Sequence, residues 1–388
     1  MPWPWMNSRR GLVTAAVVAG GLLVLATPAL AAARPAGARE PGSGLTAAAT
    51  TAPPAAYEPL SASWPSPKSG LVLFGKGYDA GGTPYLFRTA NGGRTWHRLA
   101  MPAVMADGTV YEGGGDIVAA NWNSTRLAVT RDLGRRWSAV HLTRVPAGTS
   151  AAAYHITIAG GWVYALVDLH TKSGRDTLTV YSGPASADTL APTPGLSMTA
   201  TGQLPYGDIT ARSATVQVVL GNFSTTERYW YTRDGVHFTT ARRPCPVNRL
   251  AWPVVTFGAA VVALCADAPG AVDPGITDMQ VWRTDRLGGT FHPAGPTHNL
   301  GDPQNFTAVS AQNMTLLNGF QLLGTSNASK TWTVQETEPN GGFWPYLAFP
   351  SATTGYALTD TVNSAAHNEG ILYRTTDGGH TWKALSLP

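Results

Sequence analysis

Near its C-terminus the chain reads Ile371-Leu-Tyr-Arg-Thr-Thr-Asp-Gly-Gly-His-Thr-Trp-Lys-Ala-Leu385, in which two apolar runs flank a tight polar turn. A matching stretch, Leu86-Phe-Arg-Thr-Ala-Asn-Gly-Gly-Arg-Thr-Trp-His-Arg-Leu99, lies about 290 residues earlier. Asp or Asn accepts local backbone N–H bonds in such a turn, and Gly adopts positive φ without steric cost. Two copies this alike, far apart in one chain, predict a repeat architecture.

Weaker copies of the turn lie between these two. They are Thr130–Trp137, Thr232–Phe238, Thr284–Phe291 and Thr325–Trp332. The closing aromatic residues fall at 96, 137, 238, 291, 332 and 382, so the gaps are 41, 101, 53, 41 and 50 residues. The gap of 101 is about twice the others, which predicts a degenerate copy near residues 178–188. A spacing of about 48 residues is typical of propeller blades.

Each unit also contains four short runs of strand-forming residues separated by Gly, Pro, Asn and Ser. In the last unit these are 346–349, 355–359, 371–374 and 381–385. The pattern predicts an all-β fold, a seven-bladed β-propeller of four-stranded antiparallel blades. Six or eight blades fit as well, because the third unit is poorly marked. We expect the ring to close without an exchanged strand, so residues before 70 should not complete the last blade.

The repeated motif Ser/Thr-x-Asp-x-Gly-x-Thr-Trp resembles the Asp-box, or bacterial neuraminidase repeat, and Thr375–Trp382 is its clearest copy here. Propellers with this repeat include sialidases, xyloglucan-cleaving enzymes, sortilin-type receptors and photosystem II assembly-factor-like proteins. The resemblance implies that the turn joins the third and fourth strands on the face opposite the usual ligand site. It assigns structural roles to Asn91, Trp96, Asp132, Trp137, Asp234, Phe238, Asn327, Trp332, Asp377 and Trp382. Arg286 occupies the Asp position in the fifth unit.

The N-terminus is predicted to direct export. Arg9 and Arg10 precede an apolar run, and Ala29-Leu-Ala31 offers a small-residue cleavage site, so residues 1–31 form a Sec or twin-arginine signal. An uncleaved anchor is the alternative. Residues 32–56 are rich in Ala, Pro, Gly and Thr and are expected to be a disordered linker. Residues 57–388 would then form a single propeller domain on a protein that is secreted or held at the outer face of the envelope.

Composition limits the choice of partners. The net charge is +4 and the arginines are spread along the chain, which gives no nucleic-acid footprint. After the signal no segment is long and apolar enough to span a bilayer. We expect a monomer, no cofactor, and a disulfide between Cys245 and Cys265, with two buried free thiols as the alternative.

Few residues in the sequence are candidates for catalysis, metal binding or ligand binding. The carboxylates Glu112, Asp116, Asp208 and Asp302 lie in or near loops that lead into first strands, where they could converge for acid–base work; turn capping is the alternative. Asp267, Asp273 and Asp278 share one long loop that could hold Ca²⁺ or be a solvated insertion. Aromatic candidates for binding are Trp122, Tyr206, Trp344 and Tyr346, and inter-blade packing is the alternative for the last two.

From these features we expect the protein to act as a binding or scaffold module for a protein, a glycan or a cell-envelope component. The alternative is a sialidase-like glycoside hydrolase with a carboxylate and arginine pocket opposite the repeat turns. The Arg-Ile-Pro signature of sialidases is absent, and no Tyr–Glu pair can be assigned from the sequence.

Overall fold

A computed structural model describes residues 52–54, 57–76, 82–102, 105, 108–121, 124–171, 175–201, 205–222, 227–247, 249–267, 278–301, 303–337, 344–359 and 370–388. The predicted signal and all but three residues of the predicted linker lie outside these ranges. Within the described residues, no helix has the length and apolar character needed to span a membrane.

The first half of the chain forms strands that follow one another as antiparallel hairpins. They are β1 (Glu58–Ser63), β2 (Gly70–Gly75), β3 (Tyr85–Thr89), β4 (His97–Leu99), β5 (Gly108–Gly113), β6 (Asp116–Asn121), β7 (Leu127–Thr130), β8 (Ser138–Leu142), β9 (Thr149–Ala159), β10 (Trp162–Thr171), β11 (Arg175–Pro184), β12 (Thr189–Thr201), β13 (Pro205–Arg212), β14 (Thr215–Asn222), β15 (Glu227–Thr232) and β16 (Thr239–Ala241).

The second half continues in the same manner. Its strands are β17 (Arg249–Phe257), β18 (Ala260–Asp267), β19 (Asp278–Thr284), β20 (His292–Pro293), β21 (His298–Asn299), β22 (Pro303–Ala308), β23 (Met314–Asn318), β24 (Gln321–Thr325), β25 (Thr333–Thr337), β26 (Tyr346–Ala348), β27 (Gly355–Leu358), β28 (Leu372–Thr375) and β29 (Lys383–Leu385).

The strands assemble into an all-β propeller with four-stranded antiparallel blades. Four sheets have the plain order of one unit: β1–β4, β13–β16, β22–β25 and β26–β29. The sheet β17–β20 also contains β21, which pairs with β19. The units β5–β8 and β9–β12 form one eight-stranded sheet, because Thr189 and Leu190 of β12 pair in parallel with His141 and Leu142 of β8. The degenerate copy predicted near 178–188 falls on the β11–β12 hairpin.

The first strands of successive units contact one another in a cycle that returns to its start. The order is β1, β5, β9, β13, β17, β22, β26 and then β1 again. The last sheet takes all its strands from residues 346–385, and β1 pairs with β2. The expectation of closure without an exchanged strand is therefore confirmed for the described residues. Trp64 stacks on Tyr356 across this junction, with ring centroids 3.5 Å apart.

The repeat turns, which we define as residues 89–96, 130–137, 232–238, 284–291, 325–332 and 375–382, are held by local hydrogen bonds. In the last one the Thr375 hydroxyl donates to Asp377 Oδ1 at 2.7 Å and accepts the Gly379 N–H. Asp377 Oδ1 also accepts the N–H of Thr381 at 3.0 Å. The same Thr-to-carboxylate or Thr-to-amide bond holds the turns at Asn91, Asp132, Asp234 and Asn327. These residues form turns, and Gly378 and Gly379 supply the positive φ that the last turn requires.

Three of the closing tryptophans tie one unit to the unit before it. The indole N–H of Trp96 donates to Ser386 O, that of Trp137 to Ala100 O, and that of Trp382 to the Gln335 side chain. Trp332 instead donates to Ser329 within its own turn. In the units of β13–β16 and β17–β20 the closing residue is Phe238 or Phe291, which has no N–H to donate.

The predicted disulfide is present. Cys245 lies before β17 and Cys265 lies in β18, and their Cα atoms are 5.5 Å apart. Both cysteines are buried in a cluster with Val261 and Phe291. The bond therefore fastens the chain entering this sheet to the second strand of the same sheet.

Candidate functional site

The Glu112 side chain, from the second unit, contacts polar residues of the first unit. One carboxylate oxygen lies 3.1 Å from Arg88 Nη2, and the Ser69 hydroxyl donates to both oxygens. The Glu112 N–H donates to Ser63 Oγ. Glu112 is 4% exposed. The charge of this carboxylate is therefore balanced inside the protein by a guanidinium from β3.

Asp208 lies within β13 and faces His155 of β9. Asp208 Oδ1 and His155 Nδ1 are 3.3 Å apart, and both residues are buried. Burial raises the pKa of Asp208 to about 7 and lowers the pKa of His155 to about 4. The Tyr111 ring stacks on the imidazole at 5.9 Å between centroids. Glu112 and Asp208 thus contact different partners, and neither lines the open pockets described below.

The other predicted carboxylates differ in their surroundings. Asp116 begins β6 after the Gly114–Gly115 turn, and partial burial raises its pKa, opposed by the charge of Arg131. Asp302 lies outside the described residues. Asp267 pairs with Arg249 at 3.0 Å, Asp278 begins β19, and Asp273 lies outside the described residues. Within the part of the chain that the structure describes, no group of three His, Cys, Asp or Glu side chains could hold a metal ion.

The predicted aromatic candidates lie in the core. Trp344 is 1% and Tyr346 is 2% exposed, and each belongs to an apolar cluster between blades. The Tyr346 hydroxyl accepts the backbone N–H of Trp64 at 2.8 Å. Their burial favours the alternative of inter-blade packing. Trp122 lies outside the described residues.

Tyr206 forms a pair that the sequence did not reveal. Its hydroxyl donates to Glu227 Oε2 at 2.5 Å, and the Ala251 N–H donates to the same oxygen at 2.7 Å. Burial raises the pKa of Tyr206, and the charge of Glu227 raises it further. Tyr206 comes from β13 and Glu227 from β15, 21 residues apart in sequence. No local motif marks such a pair, since strand register brings the two residues together.

An open groove lies where β12 of one unit meets β15 and β16 of the next. Its volume is about 360 Å³. The residues that line it are Pro194, Gly195, Leu196, Arg228, Trp230, Phe238 and Thr240. We call this the Phe238 groove.

A bulge in β12 shapes the Phe238 groove. Thr179 pairs with Ser197 and Tyr181 pairs with Pro192, so the intervening segment of β12 leaves the ladder. Gly195 has φ of 76° within this bulge, a conformation that favours glycine. The closing aromatic residue here is Phe238, which is smaller than the tryptophan found in four other repeat turns. Both features leave space at the junction of the two units.

The walls of the Phe238 groove combine apolar and charged groups. Leu196 and Trp230 are buried and form its floor, and Phe238 is half-buried. Arg228 and Thr240 are exposed at its rim. An apolar surface with a few polar groups is the usual composition of a binding site. The sequence marks this position only through Phe238 in place of the repeated tryptophan, a feature that Phe291 shares.

Comparison with known proteins supports the fold. No protein-family model matches the chain, and no curated protein matches it. Among solved structures, it is similar to the GH74 xyloglucanase from Xanthomonas campestris, with 12% identity, a TM-score of 0.51, and coverage of 85% of this chain and 61% of that one. A puromycin hydrolase is similar at 12% identity and TM-score 0.55, over 84% of this chain and 53% of that one.

An ulvan lyase of polysaccharide lyase family PL25 is similar at 10% identity and TM-score 0.50, over 82% of this chain and 92% of that one. The chain thus spans between about half and about three-fifths of the xyloglucanase and the hydrolase. At this level of identity the similarities show a β-propeller-like fold and leave the activity undetermined.

Proposed function

We propose that the protein is an exported, seven-bladed Asp-box propeller that acts as a binding module, and that a segment of a partner protein occupies the Phe238 groove. The observation that carries the proposal is the groove itself. It is open and has an apolar floor, and its one charged lining residue, Arg228, is exposed at the rim.

The blade count rests on treating the eight-stranded sheet as two blades. Its halves β5–β8 and β9–β12 each have the antiparallel order of the other units, and only a two-residue parallel pairing joins them. The cycle of first strands supports the same division. The Thr-to-carboxylate hydrogen bonds of the repeat turns support membership of the Asp-box group.

Export is supported by two features. The disulfide Cys245–Cys265 suits an oxidising compartment. The N-terminal sequence has the charge and hydrophobic pattern of a signal, followed by a linker that can tether the domain to the envelope. We propose that the mature protein is a monomer that works outside the cytoplasm.

The chemistry of the groove indicates its ligand. Phe238, which is partly exposed, would contact an apolar side chain above the buried Leu196 and Trp230, and hydrophobic burial would contribute to the affinity. Arg228 would pair with an acidic residue next to that side chain, which fixes the orientation. Thr240 belongs to β16, the outer strand of its sheet, so an extended peptide can lie along this rim.

Selection of displayed peptides on the purified protein tests the proposal. We expect enriched peptides to carry an apolar residue beside Asp or Glu. Binding of a synthetic peptide from this pool should weaken at least about tenfold in Arg228→Glu, because the charge at the rim is reversed. Arg233→Glu is the matched control, since Arg233 is exposed in the same unit but does not line the groove. Equal binding of the peptide by both variants would rule out the Phe238 groove as its binding site.

The second candidate is a sialidase-like glycoside hydrolase, and the Tyr206–Glu227 pair is the observation that favours it. A tyrosine backed by a carboxylate is the nucleophile pattern that the family resemblance implies. Burial opposes this role, because it raises the pKa of Tyr206 and shields the hydroxyl from substrate. Cleavage of a fluorogenic sialoside that is lost in Tyr206→Phe would establish the hydrolase and refute a purely binding role.

A further inference from the structure

The repeat turn at residues 284–291 lacks the Asp or Asn side chain around which the other turns are built. Arg286 occupies the position that Asp377 holds in the last turn. In that turn Asp377 accepts the N–H groups of His380 and Thr381. The corresponding residues at 284–291 are Gly289 and Thr290, so two backbone donors have lost their side-chain acceptor.

One of these donors is satisfied within the turn. The Gly289 N–H donates to Arg286 O at 2.9 Å, and the Thr284 hydroxyl donates to the same carbonyl at 3.2 Å. Thr290 is exposed, and among the described residues no side chain accepts its N–H. The turn is therefore held by the Arg286 carbonyl, and the Thr290 N–H has no side-chain acceptor among the described residues.

A pocket of about 560 Å³ lies at this turn, and its walls carry more positive than negative charge. Two guanidinium groups, Arg283 and Arg286, line it against one carboxylate, Asp285, and the neutral lining includes Thr290. Asp285 pairs with Arg283 at 3.3 Å, but its side chain is 88% exposed, so solvent weakens this attraction. Arg286 has no ion-pair partner among the described residues. A positive pocket beside an unused backbone donor is an anion-binding arrangement.

We infer that the pocket at 284–291 binds a carboxylate group of a ligand, which takes the place of the missing Asp or Asn acceptor of the turn. The ligand carboxylate would accept the Thr290 N–H, as Asp377 accepts the Thr381 N–H in the last turn. The two guanidinium groups would hold it from the sides, since a planar guanidinium matches a carboxylate with two parallel hydrogen bonds. This inference does not depend on the Phe238 groove, which lies on a different pair of units.

Titration calorimetry with sodium glucuronate tests the inference, with glucose as the neutral probe and chloride used to hold the ionic strength constant. We expect millimolar binding of glucuronate and none of glucose. The variant Arg286→Asp restores an internal carboxylate, so it should weaken glucuronate binding at least about tenfold while melting no lower than the wild type. Arg283→Gln should also weaken binding, which covers the case in which the first variant fails to fold.

The control variant is Arg136→Gln, because Arg136 is exposed beside a turn that keeps its own Asp132. It should bind glucuronate as the wild type does. Equal heats from glucuronate and glucose, or full binding by Arg286→Asp, would overturn the inference. Tighter binding of sodium sulfate than of glucuronate would overturn the assignment of a carboxylate.

Discussion

His155 Nδ1 lies 3.3 Å from Asp208 Oδ1 in the ring of first strands, where both side chains are buried. Burial lowers the pKa of the imidazole to about 4 and raises that of the carboxyl to about 7. His155 Nε2 has no hydrogen-bond partner among the described residues. The pair thus places two titratable groups where solvent cannot stabilise their charges, so protein stability should depend on their protonation.

Replacement of Asp208 by Asn should invert the pH dependence of stability. The raised pKa of Asp208 lowers stability as pH rises from about 4 to about 7, and the lowered pKa of His155 lowers stability as pH falls from about 6.5 to about 4. In the wild type the Asp208 and His155 contributions to the free energy of unfolding oppose each other below pH 6.5. Above pH 6.5 only the Asp208 contribution still changes, and it lowers the free energy of unfolding by about 1 kcal/mol by pH 8.

In Asp208→Asn the loss above pH 6.5 should vanish, and a loss between pH 6.5 and 4 from His155 should appear. Urea unfolding at pH 4.5, 6.5 and 8 measures the change in stability on both sides of pH 6.5. A variant whose stability still falls between pH 6.5 and 8 as in the wild type would show that Asp208 is not responsible.

Removal of the disulfide should destabilise the protein. The bond closes a loop of 20 residues, for which the chain-entropy model gives about 3 kcal/mol. The double variant Cys245→Ala, Cys265→Ala should therefore melt several degrees lower than the wild type. A reductant should lower the melting temperature of the wild type and leave that of the double variant unchanged. If reduction has no effect on the wild type, the bond contributes nothing to stability.

In a repeat turn, the side-chain oxygen that accepts the backbone N–H should contribute more to stability than the negative charge of an Asp carboxylate. Asn91 and Asn327 hold their turns through Oδ1, which accepts the N–H of Thr95 and Thr331, as Asp377 accepts that of Thr381. Asp377→Asn should thus cost less than about 0.5 kcal/mol, whereas Asp377→Ala should cost about 1–2 kcal/mol. Denaturant unfolding of both variants measures the difference, and equal losses would contradict this account of the turn.

Truncation of Trp64 should weaken the junction between the first and last units. Its indole stacks on Tyr356 at 3.5 Å, and its N–H backbone group donates to Tyr346 Oη. Trp64→Ala should cost about 3–5 kcal/mol, as large aromatic deletions in cores do. Trp64→Phe keeps a stacking ring and should lose less. Equal unfolding free energies for the alanine variant and the wild type would argue against closure through this contact.

The repeat could be predicted from the sequence because each unit carries local information. Asp377 and its neighbouring glycines mark a turn, and Trp382 marks the strand that follows. Counting copies of the turn predicts the number of units, and the four strand-forming runs in each unit predict its four strands. The parallel pairing of Thr189 with His141 could not be predicted, because it joins outer strands of two units and depends on the unusual length of β12.

The site was less predictable than the fold for a physical reason. The contacts of Asp208 and Glu112 come from other units, and register across units sets them rather than spacing along the chain. The Tyr206–Glu227 pair differs in that it lies within one unit, where both residues flank Gly221 of β14 in the strand register. Phe238 replaces a repeated tryptophan, but Phe291 does so as well, and only the bulge in β12 distinguishes the unit that has the groove.

Binding of a selected peptide to Phe238→Trp tests the central claim most directly. The larger indole should fill the Phe238 groove, so the variant should melt at or above the wild-type temperature and bind the peptide at least about tenfold more weakly. Phe291→Trp is the matched control, because it makes the same change in the next unit. Full peptide binding by a folded Phe238→Trp variant would contradict the assignment of the groove as the binding site.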